Sequence, residues 1–143
     1  MSVKALISEI HSLKNPEKIK IYQGFFKTGK GEYGEGDVFL GLTVPQTRGL
    51  VKKYAPEMTL DDIDILLADK HHEARLAGVL ILVYFVQKKK YPLSELARFY
   101  MQHVSGINNW DLIDTSSEHI IGPYIQHELS HEERVDFITK CIA

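Results

Sequence analysis

Between His72 and Lys89 the chain is apolar on almost every side, with an unbroken apolar run of 11 residues from Leu76 to Val86. A helix of that composition is stable only where neighbours cover both its flanks, so the segment demands an interior built around it. It falls short of the roughly 20 residues that span a bilayer. A buried strand could carry the same residues, although the length of the segment favours a helix. Elsewhere apolar residues recur at three- and four-residue spacing, and clean period-two alternation is hard to find. The expected fold class is all-α.

Helix starts and stops divide the rest. Residues 2–13 place Val3, Leu6, Ile7, Ile10 and Leu13 on one face. Asn15 can cap a second helix, with Pro16 at its first position, which carries Ile19, Ile21, Tyr22, Phe25 and Phe26. A loop with four glycines in nine residues follows, from Thr28 to Gly36. Pro45 restarts a helix bearing Leu50, Val51 and Tyr54, and Thr59 caps another with acid in its first turn. Further helices are expected at about 92–104, 109–121 and 130 onward. His72-Glu73-Ala74-Arg75-Leu76 and His131-Glu132-Glu133-Arg134-Val135 resemble each other, and each opens an amphipathic helix. Recurring helix starts suggest an α-solenoid of stacked antiparallel pairs. An irregular bundle would give much the same periodicity, and on the residues alone both stay open.

Composition narrows the class. At 44% hydrophobic, 143 residues can build one core, so a single domain over residues 1–143 is expected. The start lacks a basic segment leading into an apolar one, and the lone Cys141 cannot form a disulfide framework, which points to the cytoplasm. A net charge of −2 and a pI of 6.4 speak against a highly basic nucleic-acid binder, although charge can be polarised between faces. The final helix reaches Ala143 without a Gly, Asn or Pro stop signal, so the chain reads as the front part of a longer solenoid.

Two motifs tempt. Gly29 to Gly34 satisfies GxGxxG, but the preceding residues read as helix and Asp37-Val38-Phe39-Leu40 does not open one, so a dinucleotide site is not expected. His127-Glu128-Leu129-Ser130-His131 matches the zinc-peptidase string HExxH. Ser130 and Glu133, however, form a capping box that would start a helix inside the motif and part the two histidines. The basic residues Arg48, Lys52 and Lys53, and Lys88 to Lys90, read equally well as solvated faces or helix ends.

Asn108-Asn109-Trp110-Asp111-Leu112-Ile113-Asp114 is more informative. On a helix Trp110 and Asp114 are neighbours four residues apart, with Leu112 and Ile113 able to turn inward. A lone tryptophan is usually a core or interface residue, and Asp114 could be an ordinary surface acid. The chemical alternative is an aromatic wall beside a carboxylate, which suits a sugar ring developing positive charge.

Taken in order, Phe25 to Asp37, Phe39-Leu40-Gly41, Val44-Pro45, Arg48, His72-Glu73-x-Arg75-Leu76 and Asn108 to Asp114 resemble the DNA alkylation repair glycosylases of the AlkD type. The likeness runs over about residues 3–137. It implies a HEAT-like solenoid whose basic concave face cradles duplex DNA. It also implies hydrolysis of the N-glycosidic bond of cationic purines alkylated at N3 or N7, with no metal or organic cofactor and without extrusion of the lesion into a pocket. By position, Trp110 would pack on the lesion sugar, and Asp114 would stabilise the developing cation and orient the water. Tyr22, Phe25 and Lys27 would face DNA near the lesion, and Lys30, Arg48 and Lys52 are candidate phosphate contacts. Members of that family are longer, with a second active-site tryptophan and a DNA-contacting arginine in C-terminal repeats, so the resemblance also implies that this chain alone holds half of an active site. A HEAT-like scaffold that binds DNA or protein without chemistry is the alternative, and zinc peptidase a third.

Overall fold

A computed structural model of the chain describes residues 2–32 and 34–142, with side chains up to residue 140; Tyr33 of the glycine segment and the Cys141 side chain lie outside the described residues. The described residues form nine α-helices and two 3-10 turns, and their one β feature is an isolated bridge between Val38 and His71. The chain is an all-α solenoid of successive helices.

Caps set the helix starts. Ser2 accepts from the Ala5 amide to open α1 (Val3–Ser12), which buries Val3, Leu6 and Ile10. Leu13 falls beyond the end of α1 and stays exposed. Asn15 accepts from the Lys18 amide and Pro16 takes the first position of α2 (Pro16–Phe25). Yet α2 buries none of its residues, with Ile21 at 65% and Phe25 at 61% exposure, so its aromatic side is displayed. Thr43 and Gln46 bond reciprocally to start α3 (Val44–Tyr54), and Asp62 accepts from the Thr59 amide at the head of α4 (Leu60–Leu67).

The long apolar segment is α5 (His72–Lys88), and every residue from His72 to Val83, with Phe85, is buried. It packs against α3, α4, α6 (Leu93–Gln102), α7 (Trp110–Asp114) and α8 (Ser117–Glu128), which supply the cover that its composition demands. Short turns of a few residues join α4 to α5 and α5 to α6, which sets consecutive helices antiparallel. Each fully buried Leu, Ile or Phe in this interior contributes about 1.5–3 kcal/mol.

The helix expected at 109–121 is two helices. Thr115 Oγ1 donates back to the Asp111 carbonyl (2.9 Å) and Ser116 Oγ to the Leu112 carbonyl (2.6 Å), while the buried Tyr100 hydroxyl meets Ser116 Oγ at 2.9 Å. Such back-bonding competes with the helical ladder, and Ser116 leaves helical geometry at φ −128°. With only one short turn before the break, Leu112 is buried and Ile113 points to solvent, contrary to the inward orientation expected for both. The last helix, α9 (His131–Ile142), follows Ser130.

Candidate functional site

The glycine-bearing connection from α2 to α3 supplies the base of the site. After a surface turn, residues 37–42 run inward, and Phe39, Leu40 and Leu42 join the buried set. Glu73, in the first turn of α5, holds this segment: its carboxylate accepts from the amides of Leu40 (2.9 Å), Gly41 (2.8 Å) and Leu42 (3.2 Å). Gly41 is required there, because its φ is +93° and a Cβ would stand 2.3 Å from the Asn15 carbonyl oxygen.

Beside Glu73 lies a buried charged cluster. His72 Nδ1 donates to Asp37 Oδ2 and His72 Nε2 to Asp111 Oδ2, both at 2.7 Å. Carboxylates only accept, so a ring bonded to two of them carries both protons. Burial opposes this charge, but the bonds to Asp111 and Asp37 and their negative charges outweigh it and raise the His72 pKa from 6.5 to about 9. Burial likewise works to raise Asp37, and His72, Arg75 and Asn109 together hold it below the ordinary carboxylate value. Arg75 reaches Asp37 Oδ1 at 2.5 Å and the carbonyls of Asp69 (3.2 Å) and Lys70 (3.0 Å). Asn109 donates to Asp37 Oδ2 (3.1 Å) while its own oxygen accepts from the Trp110 amide (2.8 Å). Asp111 Oδ1 is buried with no hydrogen-bond partner among the described residues.

Aromatic rings stack outward from this cluster. Phe39 lies on His72 with centroids 4.5 Å apart, Phe26 lies on Phe39 at 5.1 Å, and Trp110 flanks Phe26 at 5.5 Å and Phe25 at 6.0 Å. Beyond them opens an apolar groove of about 490 Å³, walled by Ile21, Tyr22, Phe25, Val44 and Trp110, with Asp111 and Glu73 at its floor. Burial and the charge of Glu73 push the Tyr22 hydroxyl above its ordinary pKa of 10.0.

The structure thus brings three expected residues, Tyr22, Phe25 and Trp110, to one groove. Asp114 ends α7 one turn beyond Trp110, exposed and outside the groove lining. Arg48 and Lys52 are exposed on α3 at four-residue steps from Val44, which walls the groove, so they extend from its rim. Lys27 and Lys30 are exposed in the loop that follows Phe26. Sequence reasoning assigned no role to Asp37, His72, Arg75, Asn109 or Asp111. His72, Arg75, Asn109 and Asp111 lie at the heads of α5 and α7 and Asp37 on the loop before α3, and no local pattern joins them.

Neither tempting motif forms a site. His127 is in the last turn of α8 and His131 opens α9, with Leu129 extended between them and Ser130 and Glu133 exchanging hydrogen bonds as a capping box (3.0 and 3.2 Å). The two imidazoles therefore do not stand one turn apart on a helix, and the zinc-peptidase arrangement fails on geometry. Among the described residues no group of three metal-ligating side chains comes together. The glycine segment lies between α2 and an inward-running coil rather than between a strand and a helix, which removes the dinucleotide arrangement.

The sequence profile of the family described as DNA alkylation repair enzyme matches residues 6–141. The chain belongs to the DNA alkylation repair enzyme family. No curated protein and no solved structure matches it significantly. Membership carries a role in DNA repair, with DNA as the substrate, onto the all-α scaffold and the aromatic groove just described. No helix among the described residues of this DNA alkylation repair protein is long and apolar enough to cross a membrane.

Proposed function

We propose that this DNA alkylation repair protein is an N-glycosylase that hydrolyses the N-glycosidic bond of purines alkylated at N3 or N7 in duplex DNA, and that residues 1–143 act as one domain. The observation that carries the reading is the pair Trp110 and Asp114, both exposed and one helical turn apart on α7, with the indole at 44% exposure beside an aromatic groove. An alkylated purine is already cationic, so the bond to C1′ breaks with its electron pair passing to the base, which leaves neutral. Positive charge then develops on the deoxyribose. An indole face and a carboxylate both stabilise it, the first through its π-cloud and the second by direct attraction. Water adds to C1′, and Asp114 orients it and takes up its proton. Tyr22 and Phe25 would approach DNA near the lesion, and Lys27, Lys30, Arg48 and Lys52 would neutralise phosphates.

Incubation of the full-length protein with duplex containing N7-methylguanine should release free base above the spontaneous rate, and Asp114→Asn should reduce that release by at least about 100-fold. Absence of release, or an undiminished rate for Asp114→Asn, overturns the proposal. One observation favours a second reading, a scaffold that binds DNA without chemistry: among the described residues no hydrogen bond or ion pair orients the Asp114 carboxylate. Under that reading Trp110→Ala and Asp114→Asn bind duplex as the wild type does, and no base appears.

A further inference from the structure

We propose that His72 is a positioning residue: its doubly hydrogen-bonded ring ties the first turn of α7 to the inward-running loop and so fixes the orientation of Trp110, and through α7 that of Asp114. The effect on rate rests on the glycosylase reading above; the effect on Trp110 does not.

Helix α7 has five residues and buries one, Leu112, so it cannot hold its own direction through helical hydrogen bonds or packing alone. Its anchorage is polar. Trp110 stands between Asn109 and Asp111, and both neighbours are bonded into the cluster, Asn109 to Asp37 at 3.1 Å and Asp111 to His72 at 2.7 Å. His72 joins the two arms, since its other nitrogen holds Asp37 at 2.7 Å. Packing runs in parallel, because Phe26 lies against both His72 (5.2 Å) and Trp110 (5.5 Å).

A neutral imidazole has one donor, so it can hold Asp37 or Asp111 but not both. Deprotonation therefore releases one arm of the tie. The groups that face His72 are Asp37 on the loop, Asp111 on α7 and Arg75 on α5, with Glu73 beside it; Tyr22 on α2 stays protonated until higher pH. With carboxylates on two sides, the ring keeps its second proton until about pH 9.

Trp110 is the only tryptophan of the chain, so intrinsic emission reports on this residue alone. In His72→Gln both N–H donors sit on one nitrogen, so the side chain cannot span Asp37 and Asp111 as the two ring nitrogens do. Its Trp110 emission should shift to the red and be quenched more readily by acrylamide than in the wild type, which should acquire the same change between pH 7 and 9.5. With N7-methylguanine duplex, kcat should fall roughly 10- to 100-fold with KM little altered, because the chemistry depends on placement rather than on DNA affinity. Unchanged quenching in His72→Gln, with no pH transition in the wild type, overturns the proposal. Should His72→Gln fail to fold by circular dichroism, Asp111→Asn takes its place, since its amide oxygen still accepts from Nε2 while the charge is gone. The Trp110 transition should then move down by about one pH unit or more, and an unmoved midpoint overturns the tie. Base release by His72→Gln at the wild-type kcat with unchanged quenching sinks the tie and leaves the glycosylase reading standing. No release by the wild type sinks the glycosylase reading, and quenching still decides the tie.

Discussion

Glu73 shows how much of this site depends on single atoms. Three amides share its two oxygens, and the loop they belong to has no regular structure of its own to hold it in place. Glu73→Gln presents an NH2 group to amides that can only donate, so it should lower stability by about 2–3 kcal/mol, read as a reduced urea midpoint. Gly41→Ala sets a methyl against the Asn15 carbonyl in a left-handed backbone and should cost about 1–3 kcal/mol in the same measurement. At this scale the sequence was legible where side chains announce themselves. Tyr22, Phe25 and Trp110 are large and aromatic, and they do meet. The His72 cluster was not legible, because its partners Asp37 and Asp111 lie 35 and 39 residues from it, and nothing local marks either acid as buried.

Elements were legible where capping chemistry is local. Asn15, Thr59 and the Ser130–Glu133 box each start a helix as their residue types dictate, and Pro45 falls in the first turn of α3. Ser130→Ala should therefore loosen α9 by about 1 kcal/mol, seen as a small loss of ellipticity, without effect on Trp110 emission. The division of 109–121 into α7 and α8 was hidden because Thr115 and Ser116 tolerate a helix as readily as they break one. Tyr100, from α6, meets Ser116 at the break, a contact invisible in the local pattern. The exposure of α2 was hidden for a similar reason: an apolar face written in sequence does not say whether it is covered or displayed.

For the molecule as a whole, charge acts in two ways. A His72 pKa raised from 6.5 to about 9 means that the folded state holds this proton more tightly, a contribution of about 3 kcal/mol. It is fully present below pH 6.5 and is lost as pH rises toward about 9, whereas the contribution of Asp37, held low, is lost only as pH falls into the acid range. Urea midpoints should accordingly fall between pH 6 and 9.5, and Asp111→Asn should flatten that decline. The net charge of −2 does not argue against DNA once Arg48 and Lys52 extend from the groove rim. Arg48→Ala should weaken duplex binding and reduce the slope of log affinity against log salt by about one. Finally, the loop on Glu73 joins residues more than 30 positions apart, while α2, earlier in the chain, buries nothing. Deuterium should therefore enter the two regions through different openings. The amides of Leu40, Gly41 and Leu42 should exchange only when the core itself comes apart, and those of α2 through cheap local fraying. The wall of the groove that carries Tyr22 and Phe25 should thus take up deuterium well before the floor beneath it.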